Sequence, residues 1–228
     1  MANMIDTKIL ITLLFVALAC TANAQKSHMV GMVGEWRVFS HKGLVSQINR
    51  ATGVNKYRVG QEMVGSFYKF KGQKWGIETS LSTSIDYMDN FGSWDILHNV
   101  SSVTLGANYD LGKMLLADKV LIHTGFDLFK YDIAMRNNNL VLSAPNQPNG
   151  IYWSNVSIGF NLGIETIDYL TDDGIFYNLR LGYTFTPNSE WRGTSEIYKS
   201  SLQYLYLGIS FGYDSGFKVS ALNGQMSK

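Results

Sequence analysis

The sequence predicts an all-β protein, an antiparallel up-and-down transmembrane β-barrel of about eight strands, behind a short export segment. Three observations carry this reading. Apolar and polar residues alternate with a period of two in one segment after another, and the connections between segments are by turns short and long. Charged residues make up 16% of the chain while aromatics reach 13%, against roughly 25% charge in ordinary soluble domains. A strand that alternates in this way can offer one face to hydrocarbon and the other to a polar interior.

Residues 1–24 read as a signal peptide. A polar start carrying Lys8 leads into the apolar run Ile9 to Ala19, then Ala22-Asn23-Ala24 and Gln25. The run is shorter than the roughly 20 residues a helix needs to cross a bilayer, and a small-x-small site follows it. In the rival reading Cys20 is lipidated, but Ala17 is a poor match to the large aliphatic residue such sites carry. Cleavage after Ala24 removes the single cysteine and leaves neither a disulfide nor a thiol nucleophile. The formal net charge of +1 survives the loss of Asp6 and Lys8 and gives no electrostatic case for nucleic acid.

The barrel is expected over residues 25–214. Its clearest strand is 75–87, where Trp75, Ile77, Thr79, Leu81, Thr83, Ile85 and Tyr87 alternate with Gly76, Glu78, Ser80, Ser82, Ser84 and Asp86. Segments 175–185 and 205–213 repeat the pattern. Weaker alternation marks 31–40 (Met32, Trp36 and Val38 outward), 57–69 (Tyr57, Val59, Met63 and Phe67 outward), 99–111, 120–130 and 152–164. Each is about as long as the 9 to 11 residues a tilted strand needs to span the hydrocarbon core. An even number of strands closes the sheet without leaving edge groups unpaired in lipid.

The connections run long at 41–56, short at 71–74, moderate at 88–98, short at 112–119, long at 131–151, short at 165–174 and long at 186–201. Outer-membrane barrels have short periplasmic turns and longer external loops. The order therefore puts the mature N-terminus and a tail at 215–228 in the periplasm, and Asn137-Asn138-Asn139 outside. Outward aromatics gather at strand ends: Phe67, Trp75, Tyr109 and Tyr213 at the inner boundary, Tyr57, Tyr87, Tyr152 and Phe185 at the outer one. These are expected to form two aromatic girdles. A soluble lipocalin-like barrel would alternate too, but has no reason to place aromatics at both ends of its strands.

The same face assignment sends Glu35, Arg37, Arg58, Glu62, Glu78, Asp86, His123, Asp127, Glu165 and Arg180 into the lumen. Of these, Glu35, Arg37, Glu62, Glu78, His123 and Arg180 fall at similar depth and are expected to form one paired charge network. Eight strands leave an interior just wide enough for their own side chains. The four histidines are scattered and no metal-ligand spacing occurs, so neither a metal nor a cofactor is expected.

Taken together, residues 25–214 resemble the small outer-membrane β-barrels of the OmpA/OmpX type. The resemblance rests on architecture and carries over no catalytic residue. It implies a membrane-integrity, adhesion or surface-interaction protein, or an accessory part of a secretion machine. Barrels of this group commonly end on an aromatic residue read by the insertion machinery. Here that signal would be internal, at Leu205 to Tyr213.

Lipid A deacylases and palmitoyl transferases also occur on this architecture, so a catalytic constellation has to be sought. His98 and Ser101 fall on opposite faces of a strand. His123 and Asp127 share a face but lie roughly 13 Å apart along it. Ser102 is the one serine expected near His123. The expected function is a non-enzymatic structural or surface-interaction barrel, surrounded by outer-membrane lipid and meeting envelope proteins through loops 41–56 and 131–151. The alternatives are an accessory subunit of a secretion or transport complex, a lipid A-modifying enzyme and a narrow pore.

Overall fold

The structure, a computed structural model, describes residues 27–40, 46, 59–85, 87–91, 94–114, 117–137, 150–193 and 198–216. The signal peptide, the connection 41–56 apart from Ser46, and the tail beyond Gly216 lie outside these residues. Nine strand segments follow one another: β1 (Ser27–Ser40), β2 (Val59–Lys71), β3 (Trp75–Ser84), β4 (Tyr87–Phe91), β5 (Trp94–Met114), β6 (Ala117–Asn137), β7 (Gly150–Tyr169), β8 (Ile175–Gly193) and β9 (Tyr198–Asp214). Segments β3 and β4 both pair with β5. They are two pieces of one strand position, so the ring has the eight positions expected.

Neighbours in sequence pair antiparallel, and β1 pairs with β9 from Met29↔Asp214 to Ser40↔Gln203 to close the barrel. The closure is reinforced at its end, where Ser215 N donates to His28 O at 2.9 Å and His28 N donates to Ser215 Oγ at 3.0 Å. The termini of the barrel and the tight turns at 72–74 and 170–174 share one end, here the turn end. Gly174, at φ 94°, supplies the left-handed residue the second turn needs. The other end is the far end.

Outward residues form an apolar band, with Met32 73%, Trp36 54%, Leu81 58%, Phe126 60%, Leu162 54% and Leu207 55% exposed. In a soluble fold these would be core residues; here they meet hydrocarbon. The strands outrun the band. β5 and β6 each have 21 residues, β7 has 20 and β8 has 19, about twice what a crossing requires. The expected connections at 88–98, 131–151 and 186–201 are therefore too wide. β4 and β5 take up most of the first, β6 continues to Asn137, and β8 and β9 cover most of the third. What extends them is an apolar inner face at the far end, including Ile96, Tyr131, Ile133, Trp153 and Trp191, all at 2% exposure or less. It packs a collar beyond the band that the outward pattern does not reveal.

One strand is turned over relative to expectation. On β2, Met63 and Phe67 point inward at 1% and 2% exposure, while Glu62 and Val64 point out. Glu62 is therefore not a lumen residue and Phe67 is not a girdle residue. A register step of one residue exchanges the two faces of a strand, and β2 carries apolar residues on both. Turned this way, β2 places Lys69 beside the buried carboxylates of Glu78 and Glu165 and leaves Glu62 on the outer face.

Candidate functional site

The chemistry of the barrel is gathered in its lumen, which is built in three layers. At the far end an apolar cluster including Phe39, Met63, Phe129, Tyr131 and Trp191 fills the bore. At the turn end Met29, Val33, Phe67, Leu121, Ile167 and Phe176 form a second cluster. Between them lies a charged layer to which seven of the eight strand positions contribute an ionisable group.

Arg180 on β8 is its centre, donating to Glu78 and lying 3.6 Å from Glu35 and 3.4 Å from Glu165. Lys69 reaches across from β2 to Glu165 and lies 3.4 Å from Glu78. Arg37 binds Glu35 through Nη2 at 2.7 Å and donates to Ser102 and Ser82 at 2.9 and 3.0 Å. Its guanidinium lies 5.0 Å from the Tyr204 ring. Asp127 accepts from Thr184 at 2.8 Å, Tyr204 at 2.6 Å, Asn161 at 3.0 Å and also from Thr104. Each buried charge is thus met by opposite charges or donors, the condition under which burial is tolerated.

Five of the six residues expected to form the network lie in this layer. Glu35, Arg37, Glu78 and Arg180 are linked directly. His123 stands beside them, but its Nε2 meets the hydroxyl of Tyr206 and no carboxylate. Tyr206 donates to Asn161 Oδ1 at 3.0 Å and Asn161 donates to Asp127, so tyrosine and amide bridge the strand distance between His123 and Asp127. Glu62, the sixth, is outside. Lys69 was hidden by the inverted face of β2. Its charge alone gives no signal, since Glu62 and Lys69 fall on opposite faces of β2 and only one of them can turn inward.

The possible catalytic arrangement does not assemble. Ser102 bonds Arg37 and, at 2.7 Å, Ser82, while His123 is engaged by Tyr206. His98 is fully buried and Ser101 faces out.

Of the girdle residues, Trp75 and Tyr109 face outward at the turn end with ring centroids 4.7 Å apart, and Tyr213, at the same end on β9, is 47% exposed. Phe185 ends the apolar series on β8 at 41% exposure. Tyr152 stands higher than expected, within the collar, where it donates to Asp132 at 2.8 Å beside the Lys130–Asp132 ion pair at 2.7 Å. Tyr57 lies outside the described residues, as does the side chain of Tyr87.

Among the described residues, the charged layer encloses little free space. The cavity inside the charged layer, lined by Glu35, Glu78, His123, Asp127 and Arg180 among others, measures about 20 Å³. That is room for a single water.

No family model matches the chain, and no curated protein matches its sequence. Solved structures do match. The attachment invasion locus protein Ail of Yersinia pestis superposes with a TM-score of 0.52 at 9% identity, over 82% of this chain and 98% of that one. A major outer membrane protein from Thermus thermophilus gives 0.52 at 10% identity, over 82% and 99%. The chain thus has the fold of the small outer-membrane β-barrels. At this identity the likeness concerns the fold alone.

Proposed function

We propose that the chain is a non-enzymatic integral barrel of the outer membrane that works by contact at its far, external end. In this reading residues 1–24 are the signal peptide, 25–214 the barrel and 215–228 a periplasmic tail. The observation that carries it is the collar. Four strands, β5 to β8, are about twice the length needed for crossing and, filled by an apolar core, lift a polar surface beyond the lipid; scaffolds of this kind display variable loops. The filled lumen and the dispersed His123, Ser102 and Asp127 argue against a pore and against acyl transfer. Envelope or surface macromolecules are the proposed partners, through the collar and the connections 41–56 and 138–149.

Photo-crosslinking residues placed at Ser154 and Arg192 on the collar test this, with Ile158 in the apolar band as control. Macromolecular adducts from the collar and not from Ile158 are expected. Collar sites that react with a membrane-impermeant label on intact cells yet give no adducts would overturn the reading.

One observation favours the second role, an accessory subunit of a membrane complex. On the lipid-facing side the small residues Ser66, Thr83 and Ser101 leave a groove of about 660 Å³ between Met32, Val64, Leu81, Val103 and Leu128. Small residues let membrane elements approach closely. A crosslinker at Ser101 that captures one protein in fixed stoichiometry would support this role over the first.

A further inference from the structure

Asn108 on β5 and His123 on β6 are direct cross-strand partners on the inner face, 4% and 6% exposed. Neither amide atom of Asn108 has a protein partner, nor has Nδ1 of His123. Buried polar groups are seldom left so, because the desolvation cost is then uncompensated. Since the Tyr206 hydroxyl donates to Asn161, it accepts from His123 Nε2–H. In neutral His123, Nδ1 is then the acceptor nitrogen.

Asn108 lines two cavities, one on each side of it. The first is the space of about 20 Å³ within the charged layer, which also borders His123. The second, also about 20 Å³, lies toward the turn end and is lined by Lys71, Lys74, Asp110 and Leu121 among others. Each exceeds the roughly 10–15 Å³ that one water requires. The second cavity adjoins solvent, since the ion-paired side chains of Lys71 and Asp110 are 20% and 15% exposed. On the opposite side of the charged layer, Arg37 over Tyr204 and then Phe39, Met63 and Phe129 shut the bore.

We propose that two waters, one on each side of the Asn108 carboxamide, join His123 Nδ1 to solvent at the turn end in a path that stops at the histidine. The carboxamide suits the position because it can donate to one water and accept from the other. The path hydrates the charged layer without opening the bore.

The test uses protein extracted from membranes in mild detergent with ¹⁵N-labelled histidine and asparagine, its folding checked by heat-modifiable migration. Magnetisation transfer from water to the Asn108 carboxamide is expected, together with exchange of the water at His123 Nδ1, read by transfer to the neighbouring ring proton on Cε1. Asn108→Leu should slow that exchange roughly tenfold or more, equivalent to about 1.4 kcal/mol of added opening cost, while Asn108→Ser keeps it close to wild type. Exchange unchanged in Asn108→Leu would mean another route and would overturn the proposal. Should that variant not fold, the wild-type carboxamide decides: no transfer from water to Asn108 overturns the proposal equally.

Discussion

His123 and Tyr206 meet across two glycines. One row of paired residues runs from His123 to Gly163, Gly182 and Tyr206 on consecutive strands, and the imidazole and phenol reach toward each other over the two positions that lack side chains. A Cβ on Gly163 would lie 2.5 Å from the imidazole, and one on Gly182 would collide with the Tyr206 hydroxyl.

Gly182→Ala should therefore destabilise the barrel by about 1–3 kcal/mol, the usual cost of overfilling a packed interior. The readout is the urea midpoint of unfolding in detergent, with the slope unchanged. A midpoint equal to wild type would show that the two rings relax without loss.

Arg180 holds three carboxylates, so Arg180→Met should cost about 3–5 kcal/mol by stranding them. Glu78→Gln removes one of the three. The double variant should then lose less than the two singles combined, by roughly 0.5–3 kcal/mol of coupling. Additive losses in a denaturant series would contradict the direct Arg180–Glu78 link.

The inverted face of β2 yields a paired expectation. Lys69→Met should be severe, about 3–5 kcal/mol, because Glu165 loses a buried partner. Glu62→Gln should stay within roughly 0.5 kcal/mol, as exposed substitutions do. If the order of the two effects were reversed in equilibrium unfolding, the strand would face the other way.

An apolar cluster stands at each end of the bore, and the cavity in the charged layer between them holds about 20 Å³. Planar-bilayer recordings of the purified protein should show no stepwise conductance, since an ion would have to shed its hydration to pass either cluster. Reproducible unitary steps at neutral pH would require the clusters to part.

Much of this barrel is legible in the chain because lipid on one side and a polar interior on the other impose a strict two-residue period. Trp75 to Ile85, Tyr152 to Ile164 and Leu205 to Tyr213 follow it. Most of the charge network is legible for the same reason: Glu78 and Arg180 sit between residues that can only face lipid. Where both faces of a strand carry apolar residues the period is silent. Met63 and Phe67 look like lipid contacts but serve the lumen, and Glu62 goes with them into the wrong face. The collar is illegible for a related reason. Beyond the lipid the outward face turns polar, so the period inverts and Tyr131 and Ile133 look like loop residues.

By itself, then, the sequence determines that the chain is a barrel, how many strand positions it has and which charges lie inside wherever a strand alternates cleanly, because each follows from the local alternation of a strand. Only the tertiary structure decides how those charges meet. Arg180 finds Glu78 from 102 positions away, and Lys69 finds Glu165 from 96, and nothing local encodes either distance. The stagger of the closed ring sets which rows share a height, and ring closure depends on all the strands together.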